Sequence, residues 1–200
     1  MNIIETISNL VIELISKFGY IAEFILMLLE SMGIPIPSEV VMPFSGFLVN
    51  RGELAFWSVV FVGALANLTG SLIAYGIGYW GGRPLVENYG KYIFLKKHDL
   101  DLAHNWFEKY GKAMVFFSRM LPIVRTYISF PAGFAKMPLG EFSVYTFLGG
   151  LPWCYLTTII GVKMSDKWER IKDYFHIIDI FIALAIIYII VRWLYKKIKK

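Results

Sequence analysis

Residues 116–126 read Phe116-Phe117-Ser118-Arg119-Met120-Leu121-Pro122-Ile123-Val124-Arg125-Thr126, inside an apolar stretch, 113–135, that also carries Pro131 and Gly133. Proline removes a backbone donor and breaks the helical ladder, and it pushes the preceding residue toward extended geometry. An arginine at membrane depth costs about 2.5–3.5 kcal/mol on insertion scales. Two uncompensated arginines therefore rival the stability of a whole domain. Broken backbone at that depth is tolerated only where protein encloses it or where it lines a polar cavity. The stretch is expected to dip into a bilayer as a re-entrant helical hairpin and return to the side it came from.

The rest of the chain fits a membrane protein. Of its 200 residues, 57% are apolar and 18% are charged, against roughly 25% charged in soluble chains. The apolar content excludes disorder, 17 Gly exclude a collagen-like chain, and one Cys excludes a disulfide scaffold. Twenty Lys+Arg against 15 Asp+Glu leave +5, too little to argue for nucleic acid and suited to anionic lipid.

A hydrocarbon core of ~30 Å needs about 20 apolar helical residues. Residues 54–80 and 142–162 qualify without a charge, and 177–195 is interrupted only by Asp179 and Arg192. Arg192 with Lys196, Lys197, Lys199 and Lys200 forms a basic stop that reads as cytoplasmic. No removable signal peptide is expected at the N-terminus. There Ile3, Ile4, Ile7, Leu10, Val11, Leu14, Ile15 and Phe18 recur at three- and four-residue steps. This predicts an amphipathic helix over residues 1–18 lying at the interface.

A second stretch, 20–48, resembles the first. It holds Glu30, Gly33, Pro35, Pro37, Glu39, Pro43 and Gly46 and is likewise expected to be a re-entrant hairpin. A shift of 87 positions lays Pro35 on Pro122, Gly46 on Gly133, Phe47 on Phe134 and Gly63 on Gly150. The shared order carries more weight than the identities: apolar run, Pro break, second Pro, Gly-Phe, short turn, long span. The hairpin breaks are Pro35, Pro37, Pro122, Pro131 and Gly133. Each unit crosses an odd number of times, so the second is expected to be inverted relative to the first. The layout is that of secondary transporters. The predicted fold is an all-α integral membrane protein with two inverted repeats, each a re-entrant helical hairpin plus a transmembrane helix. An amphipathic helix precedes them and a transmembrane helix follows. As one membrane domain it divides into 1–18, repeat 1 at 19–82, a basic cytoplasmic connector at 83–112, repeat 2 at 113–163 and a C-terminal span at 177–195.

Arg119 and Arg125 flank a helix break, where freed backbone makes a polar pocket. Guanidinium holds phosphate through a forked pair of hydrogen bonds and keeps its proton, so the pair is expected to bind an anion. Glu30 and Glu39 are the natural counter-charges. Burial favours a neutral acid and a nearby guanidinium favours the carboxylate. A carboxylate whose arginine leaves for a lipid phosphate should therefore take up a proton. His98, Asp99, Asp101 and His104 read as a solvated helix start, with Asp99 capping, rather than as a metal site. Cys154 has no partner for a disulfide or a catalytic pair. No metal and no cofactor is expected.

The run Phe117-x-Arg119-x-x-Pro122-x-x-Arg125-Thr126, followed by Ala132-Gly133 and Met137, resembles the signature of the DedA family, also called the SNARE-associated or VTT domain. Glu30 with Pro35-x-Pro37-Ser38-Glu39 resembles its acidic hairpin motif, and Tyr75-x-x-Gly78-x-x-x-Gly82 is similar to its glycine-rich first span. The resemblance covers roughly residues 19–164. It implies a bacterial inner-membrane protein with opposed hairpins. The matching acidic and arginine positions are those that family activity needs, and that activity depends on the proton-motive force. Members are linked to returning undecaprenyl phosphate to the cytoplasmic leaflet, others to phosphatidylethanolamine distribution. Some relatives carry Asp where this chain has Glu39.

The expected function is thus a non-enzymatic, multi-pass lipid transporter of the inner membrane with a cytoplasmic C-terminus. Its partner is a phosphate-bearing lipid, and it can act as an oligomer. A phospholipid flippase or scramblase and a non-transporting assembly factor are the alternatives. A membrane phosphatase would need a nucleophile and a general acid, and none of the three His residues lies in a hairpin.

Overall fold

Pro37 and Pro122 each stand where a helix begins, for one reason. Proline has no N–H to lose in the first turn, and its fixed φ suits a helix start. A computed structural model describes residues 3–34, 36–93 and 97–164. Among them the regular structure is helical: α1 (Ile3–Phe18), α2 (Tyr20–Ser31), α3 (Ser38–Asn50), α4 (Phe56–Ile93), α5 (Lys97–Ser118), α6 (Pro122–Tyr127), α7 (Ser129–Phe134) and α8 (Leu139–Lys163). Pro37 caps α3 with extended backbone, φ −75° and ψ 100°. Leu121 precedes α6 at φ −103° and ψ 120°, the geometry that a following proline imposes. Gly33, at φ +101°, turns the chain out of α2, a left-handed position that glycine fills without strain. Pro35 lies outside the described residues, and Pro131 falls within α7.

One expectation is corrected, the capping role of Asp99, and others gain detail. Among the described residues, one helix is long and apolar enough to cross a membrane, the Phe56–Gly81 part of α4. The expected span at 142–162 is a helix of sufficient length, α8. Thr146, Gly149, Gly150, Pro152, Thr157 and Thr158 dilute its apolar character, and all but Pro152 are buried against protein. The expected connector at 83–112 is largely helical: α4 runs on to Ile93, and α5 starts at Lys97. Asp99 therefore lies within the first turn of α5 and is not its cap. The expected segment 177–195, with Asp179, lies outside the described residues.

At the N-terminus the helix forms as expected, but Val11 and Ile15 are buried and α1 packs on α2 and α3. Protein, not lipid, covers that part of its apolar stripe.

Four close approaches hold the long helices to the broken ones. At the crossing of α3 with α8, a Cβ on Gly46 would strike the Thr158 carbonyl oxygen and one on Gly161 the Pro43 carbonyl. Where α7 crosses α4, a Cβ on Gly133 would strike the Tyr75 carbonyl and one on Gly78 would lie 2.5 Å from that of Phe130. Pro43 and Gly46 map onto Phe130 and Gly133 by the same shift of 87. Helices α2 and α5 lie instead on α4 and α8, where Gly70 faces the Leu28 carbonyl and Gly149 the Phe116 carbonyl. Small residues that let backbones touch are the usual device for packing helices in lipid.

A buried cluster of Tyr75, Phe107, Val115, Ile128, Ala132, Ala135, Met137 and Phe142 fills the space around α7. The Tyr75 hydroxyl donates to the Met137 carbonyl at 2.5 Å. Tyr75→Phe should leave that carbonyl unpaired and destabilise the protein by about 1–3 kcal/mol, read as a lower unfolding midpoint in detergent. At the surface, Lys112 donates to Glu141 at 2.8 Å. The bond and the carboxylate charge raise the pKa of its ammonium.

Candidate functional site

The breaks between α2 and α3 and between α5 and α6 bring their charges to one place. Arg119, in the turn after α5, is 1% exposed, and Arg125, on α6, is 2% exposed. Arg125 Nη2 meets Glu30 Oε2, at the end of α2, at 3.0 Å. It also donates to the Ser38 hydroxyl at the start of α3, and its guanidinium lies 4.8 Å from the Trp153 ring on α8. Glu30 is fully engaged: Oε1 accepts from Thr126 at 2.8 Å, and Oε2 accepts from Ser31 at 3.3 Å. Asn67 of α4 in turn donates to Ser31 at 3.1 Å.

Arg119 has no carboxylate in ion-pair contact. Its Nη1 donates to the Ser71 hydroxyl at 2.9 Å and to the Arg125 carbonyl at 2.8 Å. Its Nη2 donates to Ser129 at 3.1 Å and Thr146 at 3.2 Å. All four acceptors are neutral. The two guanidinium groups thus share one carboxylate, leaving one positive charge in excess in an enclosed place. Both Nε–H donors and the indole N–H of Trp153 are buried without an acceptor, and Oδ1 of Asn67 is buried without a donor. Such a cluster can accept an anion with several oxygens, because charge and donors are already in place.

Glu30, Arg119 and Arg125 come together; Glu39 does not join them. It is half-buried, accepts from Ser38 at 3.3 Å, and makes no ion pair among the described residues. Pro37, Pro122 and Gly133 position the cluster, the first two by starting helices and the third by letting α7 sit against α4. No group of three or more His, Cys, Asp or Glu able to hold a metal occurs among the described residues.

Sequence inspection assigns no role to the neutral acceptors Ser38, Ser71, Ser129 and Thr146 or to the donors Asn67 and Thr126. One signal was available. In α4, Ala64, Asn67, Ser71, Ala74 and Gly78 recur at three- and four-residue steps, a small and polar stripe in an apolar span. All five are buried.

Residues 36–163 match the VTT domain family, a stretch that includes Glu39, Arg119 and Arg125. The chain is 39% identical over 138 residues to undecaprenyl phosphate transporter A of Bacillus subtilis, covering 69% of this chain and 70% of that one. It is 32% identical over 197 residues to undecaprenyl phosphate transporter A of Staphylococcus aureus, covering 94% and 97%. A protein of Lactococcus lactis named alkaline phosphatase-like is 33% identical over 184 residues, covering 90% and 85%. No solved structure matches. With a family match across most of its length and relatives of this similarity, the chain belongs to the VTT-domain, or DedA, family of membrane proteins.

Proposed function

We propose that the protein carries a phosphate-bearing lipid, undecaprenyl phosphate foremost, across the bacterial inner membrane by a proton-coupled route. One observation carries this: two wholly buried guanidinium groups share a single carboxylate, and each keeps an unpartnered Nε–H. A phosphate supplies both the missing charge and the missing acceptors. Arg125 would leave Glu30 for the phosphate, and Glu30, without its cation, would take a proton. Headgroup entry and proton uptake are then one exchange. Arg119 stays tethered by its four neutral partners and marks the fixed half of the grip. Glu39, just after the break of the same hairpin, is a second carboxylate within the acidic motif.

The architecture is read as two inverted repeats, 19–82 and 113–163, each a re-entrant hairpin plus a span. They are joined by a cytoplasmic connector at 83–112 and followed by a span at 177–195 with a cytoplasmic tail. Two features support it. The α3–α8 and α7–α4 crossings are both built from glycines against carbonyls, and the residues that the hairpins contribute, Pro43 and Gly46 against Phe130 and Gly133, match under the shift of 87. Ser38 touches Arg125, its own counterpart under the shift of 87, as expected of residues on the axis relating two halves.

Undecaprenyl phosphate is favoured by the names of two relatives. A phospholipid such as phosphatidylethanolamine offers the same phosphate chemistry, so both belong in the test. In liposomes, the protein should speed crossing of a labelled polyprenyl phosphate more than of phosphatidylethanolamine. Arg119→Ala should slow it roughly 10- to 100-fold, the worth of a charge-assisted hydrogen-bonded contact. Release of inorganic phosphate would point instead to the hydrolase that the Lactococcus name evokes. Crossing no faster than in protein-free vesicles would favour an assembly factor.

A further inference from the structure

Glu23 takes no part in the cluster, yet it is more enclosed than Glu30, at 0% against 5% exposed. It precedes Glu30 by seven residues on α2, so it shares that helix face, about 10 Å away along the axis. Neither carboxyl oxygen has a hydrogen-bond partner, and neither does the hydroxyl of Ser45, which faces it from α3. No cation among the described side chains is in ion-pair contact with it. On α1, Glu13 and Lys17 are exposed; on α3, Glu39 lies at the opposite end of the helix from Asn50. The apolar part of α4 carries no charge, and Arg125 of α6 is held by Glu30 and Ser38. On α8, Cys154 lies within electrostatic reach of Glu23, Glu30 and Arg125 alike. An ionised carboxylate buried without a cation costs several kcal/mol, so the side chain resides there as the acid and carries a proton.

Position adds to this. The Tyr20 hydroxyl, one turn earlier on α2, accepts from the Ala55 N–H at 2.7 Å. That bond ties the start of α2 to the exposed turn of Arg51, Gly52 and Glu53. Glu23 therefore lies one turn in from that surface and two turns short of the arginines.

We propose that Glu23, with Ser45 beside it, is a proton-binding site between the face bearing residues 51–55 and the Glu30–Arg125 pair. The coupling rests on the transport function proposed above; the binding of the proton does not. When phosphate draws Arg125 away, the O–H bond of Glu23 breaks. Its proton passes through intervening hydroxyls or water and forms an O–H bond on Glu30. Glu23 then takes a new proton from the 51–55 face.

Two measurements on the full chain separate the claims. Infrared difference spectra in lipid nanodiscs at neutral pH, parent minus Glu23→Gln, should show the loss of one protonated-carboxyl carbonyl band. In phosphatidylcholine vesicles containing labelled polyprenyl phosphate, an imposed proton gradient should speed crossing by the parent, and Glu23→Gln should lose that response. Glu23→Leu, which fills similar space without a polar atom, serves both measurements should the amide disturb folding. An unchanged infrared spectrum overturns the proton site, and an identical gradient response in parent and variants overturns its coupling to transport. A parent that moves no lipid while the band disappears as expected overturns the transport function and supports the site.

Discussion

Replacing Arg125 with alanine should destabilise the protein by about 3–5 kcal/mol, the cost of removing one partner from a buried ion pair. Glu30 would stay enclosed, with Thr126 and Ser31 as donors but no cation. Adding Glu30→Gln should recover much of the loss, because a neutral amide needs no counter-charge. Thermal unfolding of the single and double variants in detergent gives the comparison. Lipid crossing should be lost in both, so the double variant separates a folded protein from a working one. A double variant no more stable than Arg125→Ala would mean that the stranded carboxylate is not the source of the loss.

The second large effect concerns packing. Gly133→Ala places a methyl group against the Tyr75 carbonyl and 2.8 Å from the Tyr79 nitrogen, both backbone atoms of α4. Backbone cannot rotate aside as a side chain can, so the two helices must separate. Overpacking of this kind costs about 1–3 kcal/mol, and Gly46→Ala at the α3–α8 crossing should behave alike. Gly140→Ala is the control: nothing lies within 4 Å of its added Cβ, and its stability should stay within about 0.5 kcal/mol of the parent. Equal unfolding midpoints for Gly133→Ala and Gly140→Ala would contradict the close approach.

What the sequence made legible were local, obligatory effects. Pro37 and Pro122 had to interrupt a helix because proline lacks a donor, and they stand at helix starts. Arg119 and Arg125 had to be compensated because their charge is permanent, and both are enclosed by polar groups. The Glu30 partnership followed from charge alone, but charge alone also recruited Glu39. Which of two carboxylates reaches an arginine depends on the turn at Gly33 and on which side of α3 the second one projects. Neither is written in residue type. The neutral acceptors of Arg119 were hidden for a related reason: a hydroxyl in a span looks the same whether it bonds its own helix, as Thr158 does to the Cys154 carbonyl, or a guanidinium, as Thr146 does. Glu23 was passed over because it lies early in the apolar run of α2, away from the prolines that drew attention to Glu30. The helix expected at 142–162 was read from its lack of charge, and the threonines and glycines that it turns toward other helices were not singled out for that role.

The central claim, that Arg119 and Arg125 grip the headgroup, has one direct measurement. Solid-state NMR on protein with isotope-labelled arginine side chains, in bilayers containing polyprenyl phosphate, reports which arginine nitrogens lie near lipid phosphorus. Arg119 and Arg125 should couple to phosphorus through their side-chain nitrogens, with the Arg125 signal lost in Arg125→Lys. Coupling seen only at the exposed Arg51, with the two buried arginines silent, would contradict the account.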